Sequence, residues 1–118
     1  MNIILGEENI NNLGGKYLVL ELDTFRLEGN SDPVRSYALI DSLEFSDLFQ
    51  VEETRKLHQD LIRDYRSKDW KSCEILLDQL RGKWNGELDS FYEIMSERIV
   101  NLKTTGVDDD WDGSIIKT

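Results

Sequence analysis

Cysteine, proline and histidine each occur once in these 118 residues, and each scarcity closes off a class of protein. With Cys73 alone no intrachain disulfide can form, which fits a reducing compartment. A single Cys and a single His also leave no zinc pattern, because structural zinc sites draw several such ligands at close spacing. Long apolar runs are missing too: none approaches the roughly 20 residues that a bilayer-spanning helix needs. The opening "MNIILGEEN" has neither the basic start nor the apolar stretch of a signal peptide. The chain is therefore expected in the cytoplasm, without membrane contact from this segment. Basic clusters are absent as well. The formal net charge is −10, and a phosphate backbone asks for gathered Lys and Arg, so nucleic acid is not an expected partner. No serine stands in a nucleophile-elbow pattern, and no Gly-rich loop has the spacing that cradles phosphates.

What is present divides near residue 42. Before it, apolar residues alternate; after it, they recur at steps of three and four. "NIILG" reads as a short strand, followed by a brief turn or helix, "EENINNLGG", ended by Gly14 and Gly15. In "KYLVLELDTFRLEG" Leu18, Leu20 and Leu22 share one face, whereas Phe25 and Leu27 fall in the opposite phase, which predicts a bulge at Asp23 and Thr24. The turn "EGNSDP" leads to "VRSYALI", suited to a half-buried strand. Residues 1–42 thus predict an antiparallel hairpin with one extra strand and a small helix.

Residues 43–118 predict three antiparallel helices and a tail, making the whole an α+β chain. Asp47 and Gln50 have the spacing of a capping box before a stripe of Leu57, Leu61, Ile62 and Tyr65. After "RSKD", Asp69 is placed to cap a second helix whose stripe is Trp70, Cys73, Leu77, Leu80 and Trp84. "NGE" turns into a third, carrying Leu88, Phe91, Met95, Ile99 and Leu102. Short connections favour antiparallel neighbours.

Few side chains suggest chemistry. His58 has no Cys or second His at ligand spacing and reads as a surface or boundary histidine. Cys73 fills the small position of an apolar stripe, as a buried structural thiol does. Glu52, Glu53, Asp60 and Asp64 read as a solvated helix face. The tail "VDDDWDGSIIKT" opens like a calcium loop, with Asp108, Asp110, Asp112 and Gly113 in the order D-x-D-x-D-G. Its twelfth position is missing, and "KTTGV" interrupts the helix that should lead in. The preferred reading makes Trp111 a hydrophobic anchor and Asp112 with Gly113 its turn. No metal or cofactor ligands are assigned in this chain.

Two stretches carry a resemblance. "ILGEENINNLGGKYLVLELDTFRLEGNSDPVRSYALI" resembles the end of the catalytic domain of class III adenylate cyclases, through Leu22, Asp23, Phe25, Arg26, Leu27, Gly29, Pro33, Val34, Tyr37 and Leu39. "LIRDYRSKDWKSCEILLDQL", "FYEIMSERIVNL" and "DDDWDG", with Lys117 after it, resemble the C-terminal helical extension of bacterial members. Together they cover nearly the whole chain. Independently of the resemblance, Gly29 supplies the backbone freedom of a tight turn, Pro33 fixes φ at the entry to a strand edge, Tyr37 offers an apolar body with a hydroxyl able to reach solvent or a partner, and Trp70 is placed to plug the gap between two helices. Trp84 is committed to packing, and Arg98 is placed to pair with carboxylates of a neighbouring helix. The resemblance implies that the two metal-binding aspartates, an Asn and an Arg precede residue 1, so Mg or Mn belongs only to a full-length cyclase. The loop lysine that contacts triphosphate in some members is replaced by Glu28 or Asn30. The expected role is noncatalytic: a structural, regulatory or dimer-supporting part in cyclic-nucleotide synthesis, with a second copy or a cyclase catalytic domain as partner. The helix pair of residues 61–80 also has the spacing of a tetratricopeptide hairpin, the alternative being a helical protein-interaction module.

Overall fold

The computed structural model describes residues 2–6, 17–27, 32–41, 45, 47–107, 111 and 113–117. The architecture is α+β. In chain order it holds strands β1 (Asn2–Leu5), β2 (Tyr17–Leu27) and β3 (Val34–Asp41), helices α1 (Leu48–Arg66), α2 (Trp70–Leu80) and α3 (Asp89–Thr105), and strand β4 (Ser114–Lys117). The small helix expected within residues 7–15 lies outside the described residues. Two compact units form: residues 1–52 with 113–118, and residues 53–112.

The first unit is a mixed sheet of order β1-β3-β2-β4. β2 and β3 make the expected antiparallel hairpin, and β1 pairs antiparallel with the other edge of β3. Being flanked on both sides, β3 is not the half-buried strand its composition suggests: Ser36 to Ile40 are buried at every position. The register of β2 on β3 shifts between Glu21 and Thr24, where the phase of the apolar residues changes. Ser36 explains how the shift is tolerated. Its buried hydroxyl accepts the Asp23 N–H at 3.1 Å and donates to the Asp23 carbonyl at 3.3 Å, satisfying backbone groups that a bulge takes out of the ladder.

β4 was not legible as a strand. It lies parallel to β2, pairing Thr24 with Ser114 and Phe25 with Ile115, and it makes the sheet mixed. Gly113 precedes it at φ 91, in the left-handed region that a side chain disfavours, and this turns the chain into the strand.

The second unit, residues 53–112, is helical, and the helix starts of the chain follow from capping. The Asp47 carboxylate, just before α1, accepts the Gln50 N–H at 3.1 Å, and Asp69 accepts the Ser72 N–H at 3.2 Å at the start of α2. α2 ends at Leu80, so Trp84 belongs to a tight turn, Trp84–Gly86, and not to the α2 stripe. Lys103 near the end of α3 reaches Glu74 near the start of α2 at 2.7 Å, while the Gly82 N–H beyond α2 donates to Asp89 at the start of α3 at 2.9 Å. Those two contacts fix α2 and α3 as antiparallel. Leu61, Leu77, Leu80, Leu88, Met95 and Ile99 are at most 1% exposed and form the centre of the helical core.

Proline at position 115 would remove a backbone donor and clash with a ladder neighbour. Ile115→Pro is expected to abolish amide exchange protection along the β4-facing edge of Thr24–Leu27 while leaving that of α2 and α3 unchanged, as read by hydrogen exchange.

Candidate functional site

The helical unit holds three polar or aromatic clusters, each set by positions on neighbouring helices. The most enclosed joins α1, α3 and the turn between α2 and α3. His58 is 1% exposed, Tyr92 0% and Trp84 3%. The Trp84 indole N–H donates to the Tyr92 hydroxyl oxygen at 3.1 Å, and that hydroxyl lies 2.9 Å from His58 Nδ1. His58 is thus a core residue, correcting its reading as a surface or boundary histidine. Its ring stands 5.8 Å from Tyr92 and 6.2 Å from Phe91, centroid to centroid. Burial pushes the Tyr92 phenol well above its ordinary range, the Trp84 hydrogen bond opposes this, and the charge of Asp89 adds to it. The phenol keeps its proton throughout the physiological range.

The turn that delivers Trp84 is strained. Trp84 and Asn85 have φ of 56° and 53°, and Gly86 follows at 80°. A left-handed conformation costs a non-glycine residue roughly 1–2 kcal/mol. Burying an indole supplies a few kcal/mol, on the order of 25 cal/mol per Å² of apolar surface, which is enough to hold the turn.

A second cluster ties α1 to α2. Asp64, expected on a solvated face, is instead 8% exposed. Its Oδ2 accepts the Ser72 hydroxyl at 2.5 Å, its Oδ1 accepts Arg63 Nε at 3.1 Å, and its backbone carbonyl accepts the Asp69 N–H at 2.9 Å. The hydrogen bond from Ser72 lowers the Asp64 pKa most, Arg63 adds to it, and partial burial works the other way. One turn along α2, Cys73 is fully buried, its Sγ 3.9 Å from the Leu61 carbonyl. Burial, followed by the charges of Asp64, Asp69 and Glu74, pushes its thiol up to about 12. A thiol held so far from ionisation is not a nucleophile.

The third cluster is aromatic. Trp70 and Trp111 stand 5.8 Å apart, and Tyr65 lies 5.8 Å from Trp70 and 5.2 Å from Trp111 in edge-to-face packing. The structure therefore brings together two of the residues singled out in the sequence, Trp70 and Trp111, and sends Trp84 to a different cluster. Of the others, Tyr37 is buried in β3, Pro33 is exposed just before that strand, Arg98 is half-buried on α3, and Gly113 is buried at the start of β4. Gly29 and Asp112, like Asp108 and Asp110 of the acidic tail, lie outside the described residues. Sequence reasoning missed Tyr92, Ser72 and Ser36. Tyr92 falls one residue beyond the Phe91 position of the α3 stripe, where a wide apolar face would have included it.

A groove of about 590 Å³ runs between Glu53, Lys56, Leu57 and Asp60 of α1 and Gln79 and Lys83 around the end of α2. Its walls are mainly long, solvent-facing polar side chains. Among the described residues no group of three or more His, Cys, Asp or Glu is placed to hold a metal ion. No helix is long and apolar enough to cross a membrane among the described residues. Compared with family models, curated proteins and solved structures, the chain matches none.

Two outcomes follow for stability. Tyr92→Phe deletes both hydrogen bonds of the hydroxyl and should cost about 1–3 kcal/mol, read as a lower urea midpoint with an unchanged slope. Asp64 has its pKa lowered in the folded state from 3.8, so the unfolded chain binds the proton more readily and the stability it contributes is present above about pH 4 and lost as the pH falls through the folded value. Ser72→Ala should therefore be less stable than the wild type at pH 6, and the gap should narrow as the pH is lowered below 3.8 and through the folded value.

Proposed function

We propose that this chain is a noncatalytic accessory segment related to the C-terminal part of class III adenylate cyclases, supporting a catalytic partner in cyclic-nucleotide synthesis. The observation that carries the reading is the order of elements. A lone strand, β1, precedes a bulged hairpin with Pro33 ahead of its second strand and Tyr37 inside it, and three helices follow. That is the order implied by the two stretches that resemble the cyclase end and its helical extension.

The chemistry of the described side chains fits a supporting role. Several enclosed polar groups bond one another: Ser72 with Asp64, and Tyr92 with His58 and Trp84. Such mutually bonded groups rigidify a fold, as a supporting segment requires. A different reading, a helical protein-interaction module, is favoured by the close approach of α1 and α2 at Cys73, where a small residue lets a helical hairpin close. Binding of a helical peptide along the groove between α1 and α2 at micromolar affinity would favour that reading.

The test is complementation. The purified chain with ATP and Mg²⁺ or Mn²⁺ should yield no cyclic AMP above a blank. Added to a class III catalytic domain shortened to end before the strand corresponding to β1, it should raise cyclic AMP formation by roughly tenfold or more. Turnover by the chain alone would overturn the noncatalytic assignment, and failure to raise the rate of the shortened domain would overturn the supporting role.

A further inference from the structure

The turn Trp84–Gly86 places an asparagine directly before a glycine, and no other asparagine of the chain has glycine after it. That order bears on covalent stability. Asparagine is thermolabile because the nitrogen of the following peptide can attack its side-chain carbonyl, and a following glycine has no Cβ to stand in the way. Asn85 is exposed, so water and hydroxide reach it. The two reacting atoms are nonetheless held back by the turn. Asn85 sits at φ 53° and ψ 28°, a left-handed conformation that asparagine tolerates, and ring closure requires ψ to leave that region. The Gly86 N–H donates to the Lys83 carbonyl at 3.0 Å, and the nucleophile is that nitrogen after it has lost this hydrogen. The Glu87 N–H donates to the Trp84 carbonyl at 3.0 Å and closes the turn. Trp84, 3% exposed with its indole N–H on the Tyr92 hydroxyl, anchors this backbone.

We infer that Asn85 is a site of spontaneous modification, whose rate is set by the seating of Trp84 and whose product keeps the turn from closing again. When the turn opens, hydroxide takes the Gly86 amide proton and the nitrogen bonds the side-chain carbonyl carbon of Asn85. The bond from that carbon to the side-chain nitrogen breaks. Ammonia leaves, taking a proton back from water, and a cyclic succinimide remains. Water then opens the ring without any oxidant or reductant. Attack at the side-chain carbonyl yields aspartate, and attack at the main-chain carbonyl yields isoaspartate. Either product adds a negative charge to a chain already at −10, shortly before Glu87 and Asp89. Isoaspartate also routes the main chain through the side-chain methylene. The lengthened backbone no longer fits the pair of hydrogen bonds that Gly86 and Glu87 make across the turn.

The full chain would be held at mildly alkaline pH, folded and in denaturing urea, then digested and mapped by mass spectrometry, with isoaspartate read by enzymatic methylation. In the folded chain Asn85 should gain about one dalton and react faster than Asn30, which precedes serine and serves as the internal reference. Urea should speed the reaction at Asn85 by about tenfold or more, as expected of a segment that reacts only when locally open. Trp84→Phe keeps an aromatic ring but loses the indole N–H, so modification at Asn85 should be about fivefold faster in the folded chain. Chains carrying isoaspartate should lose near-UV dichroism that Asn85→Asp, with the charge but not the longer backbone, retains. An Asn85 that stays intact in the folded chain, a rate unchanged by urea or by Trp84→Phe, or isoaspartate chains with the wild-type aromatic signal would each overturn the inference. Should Trp84→Phe not fold, the wild type in sub-denaturing urea takes its place. The rate at Asn85 must then rise in step with hydrogen exchange of the Gly86 amide, and divergence of the two overturns the gating by the turn.

Discussion

The hydroxyl of Tyr92 bonds a histidine on one helix and an indole on a turn at the same time, in a place where each of the three side chains is at most 3% exposed. Water cannot stand in for any partner there, so groups of the chain itself must satisfy the hydroxyl. This requirement fixes the face that α3 turns toward α1. It also fixes where the chain must go after α2, because Trp84 reaches the hydroxyl only if the turn adopts left-handed backbone. Packing of the apolar stripes alone would tolerate several arrangements of the helices. A single shared hydroxyl does not.

The contact of α1 with α2 is organised by a different polar residue with the same logic. Asp64 lies near the end of α1, and the start of α2 comes to it: the backbone through Asp69 and the side chain through Ser72. Asp69 in turn caps the helix it begins. One connection thus joins the last turn of one helix to the first turn of the next through two carboxylates, and Cys73 can then lie flat against Leu61. These contacts hold the last turn of α1 against the first turn of α2.

How much of this could be read in the sequence varied with the physics of each element. The hairpin bulge was legible because Leu22 and Phe25 fall out of phase, and the helix starts because Asp47 and Asp69 stand at cap positions. His58 and Asp64 were misplaced for a common reason. Polarity on a helix predicts exposure unless a partner is supplied from elsewhere in the chain, and Tyr92 and Ser72 are 34 and 8 residues away. Spacing along one helix carries no trace of such a partner. Trp84 continued the α2 period in the sequence, yet Gly82 ends the helix at Leu80 and the indole reaches the core by another route. β4 escaped notice because four residues are too few for a period to show, although Gly113 and Ser114 followed by the β-branched Ile115 and Ile116 made a usable signal.

The pairing of β4 with β2 has a consequence for synthesis. Thr24 is made early and Ser114 late, so on a ribosome the β2–β3 hairpin and all three helices emerge before the strand that borders β2 exists. Until then the edge of β2 from Thr24 to Leu27 has no strand beside it, and an open edge is a template for pairing with another chain. The connections within the helical unit are local and form quickly, whereas this one joins residues about 90 positions apart and closes after them. The vulnerable interval for the nascent chain is therefore set by the time taken to make the helices, and β4 is the strand that ends it.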